Sequence, residues 1–227
     1  MRSGPSHTAE YVCWARAVEA RNPPETRVLF DPYAYDFLGI FGRCCYWMVA
    51  ATGPIGRWLV ARVPNFNQYI VARHRVMDDW VRASSPRQLV ILGAGYDMRA
   101  HRLNIAELEA IFEVDHPNTA ARKQHLLEGL HQLYLDMNET PPTRPPIKYI
   151  SVDFQREKLS ERLADSSYKS DVQTAWVWEG VSMYLSEPEV QNTLAEIRQM
   201  SAPGSTLTLD IAYDPGRGRL PQAMMAI

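Results

Sequence analysis

With 227 residues, 46% of them apolar and 22% charged, the chain has the length for one large buried core and the balance of a folded globular protein, which excludes disordered and fibrous classes. Lys and Arg number 24 against 26 for Asp and Glu, so no broad positive field draws the chain to nucleic acid or to an anionic membrane surface. Three cysteines, Cys13, Cys44 and Cys45, are too few for a disulfide framework and point to a reducing compartment, the cytoplasm.

Met1 to Glu10 carries one Arg but no apolar core behind it, unlike a secretory signal. Helices are expected over Thr8–Ala20, Tyr33–Leu38 and Phe66–Val81, separated by Pro23-Pro24 and by Gly-Pro turns. Residues 1–85 therefore read as a helical N-terminal cover that belongs to the same domain as residues 86–227. The most apolar stretch, Cys44–Ile55, contains Gly53 and Pro54 and falls well short of the ~20 residues that span a bilayer. No membrane span is expected.

From residue 86 to 227 short apolar runs alternate with helical stretches, the pattern of βαβ units around a mainly parallel sheet with helices on both faces. The strands are placed at Gln88–Leu92, Ala110–Val114, Ile147–Val152, Thr174–Trp178 and Leu207–Ala212. Helices fall at Met98–Leu108, Pro117–Leu130, Glu157–Ala164 and Pro188–Met200. The last is the best delimited, with Ser186 and Glu189 spaced as a capping box and Pro203-Gly204 as a stop. Pro141, Pro142, Pro145 and Pro146 mark a surface loop.

The first strand runs into Gly93-Ala-Gly95 and then a helix. Glycines in such a turn let the backbone approach a ligand, although an ordinary strand-to-helix turn favours them as well. Asp115 stands 22 residues beyond Gly93 at the end of the second strand, where a carboxylate accepts both hydroxyls of a ribose. Met98 stands where a dinucleotide-binding turn has its third glycine, which argues against NAD and FAD. S-adenosylmethionine has a ribose but no pyrophosphate, and these residues match its lesser demand.

Asp153 and Phe154 end the third strand and admit two readings, as contacts to an adenine ring or as a helix-capping Asp with a core Phe. Glu179 and Gly180 come directly after the fourth strand, at the carboxyl edge where open α/β sheets bind ligands. The six histidines, His7, His74, His101, His116, His125 and His131, show no metal-ligand spacing, so no metal site is expected. Cys44-Cys45 reads as packing rather than redox chemistry.

The segments GAGYDMRAHRL, FEVDHP, VDF and EGVSMYL, in this order and spacing, resemble the leucine carboxyl methyltransferase family, which includes polyketide O-methyltransferases. Thr8-Ala-Glu, Ala15-Arg-Ala, Asp31-Pro-Tyr-Ala and Arg73-His-Arg-Val-Met-Asp78 resemble that family's helical N-terminal cover, so the likeness spans roughly residues 6 to 213. It implies a Rossmann-like class I methyltransferase fold and S-adenosylmethionine as cofactor. It also implies roles: Arg73 for the methionine carboxylate, Gly93 and Gly95 at the turn, Asp115 on ribose, Asp153 and Phe154 by adenine, Glu179 near the cofactor, and Tyr184 as the catalytic residue facing the acceptor.

The activity expected on this basis is methyl transfer to a carboxylate or hydroxyl of a small-molecule acceptor. A carboxylate needs no general base; a hydroxyl does, and His74 or Tyr184 are candidates by type and location. Methylation of a protein C-terminus and a non-catalytic methyltransferase-like binding protein are the alternatives. The family's sheet ends in an antiparallel pair of strands that Arg217–Ile227 is too short to supply. The fold is therefore expected to lack the last two strands, with Leu207–Ala212 at a sheet edge or at an interface with another copy or a partner chain.

Overall fold

The computed structural model describes residues 7–53, 55–56, 66–136, 145–154 and 156–211. Chain contacts divide the protein into two compact units. Unit 1 takes in residues 1–80, 95–104 and 118–144, and unit 2 takes in 81–94, 105–117 and 145–227. Unit 1 thus holds the N-terminal helices together with two segments that the sequence places between strands.

Unit 2 contains five parallel strands, β1 (Gln88–Leu92), β2 (Ala110–Asp115), β3 (Ile147–Ser151), β4 (Thr174–Trp178) and β5 (Thr206–Leu209), in the order β3-β2-β1-β4-β5. This is the order of a doubly wound sheet, with its topological switch point between β1 and β4. Both β1 and β4 are buried at every position, as strands covered on both faces must be, and their sequences LVIL and AWVW are accordingly apolar without alternation. β1 and β4 fall where the sequence puts them. β5 is observed one residue early and stops at Leu209, and Ala212 lies outside the described residues.

One face of the sheet is packed by α6 (Leu159–Ala164) and α7 (Glu187–Met200). Val90, Leu92, Phe112, Val114, Trp176 and Trp178 meet Leu159, Leu163, Val190, Leu194, Ile197 and Met200 there. The 190, 194, 197 spacing is one stripe of a 3.6-residue helix. The start of α7 is fixed by the Ser186 amide, which donates to the Glu189 carboxylate at 2.5 Å. That bond holds the Glu189 carboxyl below its ordinary pKa.

In unit 1 the helices are α1 (His7–Glu19), α2 (Ile40–Ala51), α4 (Arg99–Arg102) and α5 (Pro117–Asp136), with most of α3 (Phe66–Ser84). Cys13, Ala17, Phe37, Leu38, Tyr96 and Met98 form its apolar core. Burial pushes the Cys13 thiol up to about 12, so this residue is packing and no nucleophile.

Three expectations are corrected in unit 1. Tyr33–Leu38 is a series of turns, because Asp36 and Leu38 donate to the carbonyls three residues back while the Asp31 carboxylate takes the Tyr33 amide. A helix stands at Ile40–Ala51, where none is expected from the sequence. The helix expected over Met98–Leu108 is the single turn Arg99–Arg102, after which Leu103 turns extended at ψ 125. Of the proline-marked loop, residues 137–144 lie outside the described residues. Among the described residues, no helix is long and apolar enough to cross a membrane.

Candidate functional site

Because the strands are parallel and in register, the residues at their carboxyl ends stand along one edge of unit 2 in sheet order. Asp153 comes after β3, Asp115 ends β2, Gly93 follows β1, Glu179 follows β4 and Asp210 follows β5. Four carboxylates thus flank a glycine turn at the edge where such sheets bind their ligands.

The turn after β1 departs at once from extended geometry. Gly93 has φ +64, and its amide and that of Ala94 both donate to the Val114 carbonyl at 2.7 and 3.1 Å. A Cβ at Gly93 would collide with the Val181 side chain. The glycine is therefore required twice, by its left-handed backbone and by the loop after β4 that closes on it.

Asp115 accepts from the His116 amide at 2.6 Å, and its carbonyl receives the Val152 amide at 2.9 Å. Asp153 is partly exposed, with Arg156 at 3.8 Å, and its amide donates to Glu157 at 2.8 Å. Phe154 is half-buried against the unit 2 core, which is compatible with either reading of it. Glu179 is half-buried beside Gly180, a second positive-φ glycine at +70. Tyr184 ends a 3₁₀ turn, Ser182–Tyr184, and is 49% exposed.

Asp210 escaped sequence reasoning. It is buried at 7% exposure, takes the Gly180 amide on Oδ1 at 2.6 Å and receives the Ser182 hydroxyl on its carbonyl at 2.7 Å. In the sequence it sits inside LTLDIA, and one acid in an otherwise apolar strand end is its only signal.

Arg73 and Gly95 belong to unit 1. Arg73 lies half-buried on α3 with its guanidinium 5.4 Å from the Tyr69 ring centroid, a cation–π distance. Gly95 has φ +48. Unit 1 also holds a buried charged network that periodicity could not reveal. Arg99 bonds Asp97, and it bonds Asp78 at 2.7 Å and the His74 ring at 2.9 Å. Arg16 bonds Asp31 at 3.2 Å, the Tyr96 carbonyl at 2.6 Å and the other His74 nitrogen at 3.3 Å. Arg102 reaches Asp78, and Lys123 reaches the Asp97 carbonyl.

His74 is 1% exposed, with Arg16 on one ring nitrogen, Arg99 on the other and the Asp97 carboxylate 3.8 Å away. Burial opposes ionisation of Asp78, but Arg99 and Arg102 outweigh burial and hold its carboxyl below the usual carboxylate range.

A family model described as leucine carboxyl methyltransferase matches residues 9–198. A protein of Parafrankia sp. (strain EAN1pec), provisionally named an S-adenosyl-L-methionine-dependent methyltransferase, is 33% identical over 214 residues, 92% of this chain and 64% of that protein. Proteins with the same provisional name from Mycolicibacterium gilvum and Streptomyces coelicolor are 32% and 30% identical, over 89% and 94% of this chain and 66% and 68% of their own. The chain thus spans about two thirds of the length of the curated relatives it matches. A crystal structure from Thermobifida fusca YX, described provisionally as a methyltransferase, is similar with a TM-score of 0.51 at 17% identity, covering 93% of this chain and 69% of that one. At that identity the likeness shows the class I methyltransferase fold alone.

Proposed function

The chain belongs to the leucine carboxyl methyltransferase family, and we propose that it is an S-adenosylmethionine-dependent O-methyltransferase acting on a carboxylate or hydroxyl of a small molecule. The observation that carries this reading is the row of acids beside the Gly93 turn, Asp115 after β2, Asp153 after β3 and Glu179 after β4. Their chemistry fits the cofactor. A carboxylate at the end of β2 suits vicinal ribose hydroxyls, one after β3 suits the adenine amino group, and one after β4 suits a cationic sulfonium or ammonium. The absence of a third glycine suits a ligand without pyrophosphate.

The cofactor supplies an electrophilic methyl group on a sulfonium. The chain's own part is to orient the two reactants and to exclude water, because in-line displacement is governed by alignment. Tyr184, half-exposed at the end of its 3₁₀ turn, is proposed to face the acceptor. For Arg73 as partner of the methionine carboxylate, and for Gly95, the proposal rests on the family resemblance alone. The free cysteines suit a cytoplasmic setting.

Titration calorimetry with S-adenosylmethionine and with its demethylated product tests the reading. Binding of both is expected, with Asp115→Ala weakening it at least tenfold. Methyl transfer to one member of a panel of small carboxylic acids and phenols is expected next. No heat at high micromolar ligand defeats the proposal. Binding without turnover on any acceptor favours a non-catalytic role.

A further inference from the structure

We propose that Asp210 is a positioning residue that sets the direction of Glu179 by stapling the loop between β4 and the 3₁₀ turn; this rests on the S-adenosylmethionine reading above. Three bonds from Asp210 reach the end of β4, the middle of that loop and the start of the 3₁₀ turn. Its amide donates to the Trp178 carbonyl at 3.3 Å, its Oδ1 accepts the Gly180 amide at 2.6 Å, and its carbonyl accepts the Ser182 hydroxyl at 2.7 Å. Glu179 lies between the first two anchors.

The staple has a specific geometry to maintain. Gly180 is held at φ +70, which reverses the chain just after Glu179. Beyond it, Val181 is pressed onto Gly93 so closely that a Cβ there has no room. The Tyr184 amide then donates to the Val181 carbonyl at 2.9 Å, closing the 3₁₀ turn that carries Tyr184. The loop is thus tied to the end of β5 on one side and rests on the β1 turn on the other, and the carboxylate of a buried acid is the strongest of its ties. A charge-assisted bond from a main-chain amide is about twice as strong as a neutral one. Among the described residues no helix or strand pairing spans residues 179–181, and the Gly180 amide in the middle of this stretch is held by the Asp210 carboxylate.

The role separates from that of a merely stabilising residue by its coupling to Glu179. With the full chain, S-adenosylmethionine affinity is measured calorimetrically for Asp210→Ala, Glu179→Gln and the pair. Asp210→Ala is expected to bind about tenfold to a hundredfold more weakly, the range for losing a hydrogen bond to a charged group. The pair is expected to bind no more weakly than the poorer single variant, since the loss runs through the same carboxylate. Asp210→Asn, which keeps an oxygen acceptor for the Gly180 amide, is expected to restore affinity to within about threefold of wild type.

Losses that multiply in the pair, or wild-type affinity in Asp210→Ala, overturn the proposal. An Asn variant as weak as the Ala variant overturns it too. If Asp210→Ala does not fold, Ser182→Ala removes the outer tie and is put through the same cycle with the same expectation. Amide exchange over residues 179–185, faster in either variant, reads the staple without ligand. A wild-type chain that binds no S-adenosylmethionine defeats the functional reading itself, and this one with it, whereas a binding wild type with an indifferent Asp210 defeats only this one.

Discussion

Asp78 carries more of unit 1 than its position on a helix suggests. Its carboxylate receives both Arg99 and Arg102 with no side-chain exposure, and Arg99 in turn bonds the His74 ring and Asp97. Replacing Asp78 by Asn removes one charge and leaves two guanidiniums facing a neutral group. Loss of one partner in a buried ion pair costs about 3–5 kcal/mol, and that loss is expected from urea unfolding of Asp78→Asn at pH 7. The pH dependence has a definite sign. The folded-state carboxyl lies below its ordinary value, so its contribution is complete above the unfolded pKa of about 3.9 and disappears as pH falls through the folded one. Wild type and variant should therefore converge in strong acid; a gap as wide at pH 2 as at pH 7 contradicts the assignment. None of this is legible in the sequence, since the partners stand 21 and 24 residues apart and obey no helical or strand period.

At the scale of elements, legibility tracks burial. β1 and β4 are readable to the residue because they are wholly buried apolar runs bounded by polar and glycine positions. α2 is not, because Ile40, Phe41, Trp47 and Met48 are exposed, and a helix that presents large apolar residues to solvent erases the contrast on which amphipathic patterning depends. The acids of the candidate site are legible because each sits at a strand end that can be read. Asp210 is not, because the apolar run on both sides of it reads as one continuous strand. β5 has one strand partner among the described residues, β4. The Asp210 amide points toward β4, so by strand alternation those of Leu207 and Leu209 point to the other side. We propose that a second copy of the chain pairs with this edge. Slow exchange at the Leu207 and Leu209 amides that quickens on dilution, with a light-scattering mass above the 25.9 kDa of one chain, is expected. Monomeric mass together with fast exchange at both amides rules the pairing out.

For the whole molecule, cofactor binding and stability are linked. A ligand that binds only the folded chain stabilises it by RT ln(1 + [L]/Kd), about 2.7 kcal/mol at one hundred times Kd. For a chain of this length one kcal/mol moves Tm by about 2–4 °C, so S-adenosylmethionine at that excess should raise Tm by roughly 5–11 °C. Asp115→Ala, on unit 2, should lose most of the shift at the same ligand concentration. Arg73→Met, on unit 1, is the informative companion. A shift lost in both variants keeps Arg73 in the proposed cofactor set; a shift lost only in Asp115→Ala removes it. Sequence motifs nominate Arg73 and Asp115 alike, because each lies in a recognisable segment, but only ligand-linked stability weighs their contributions on one scale.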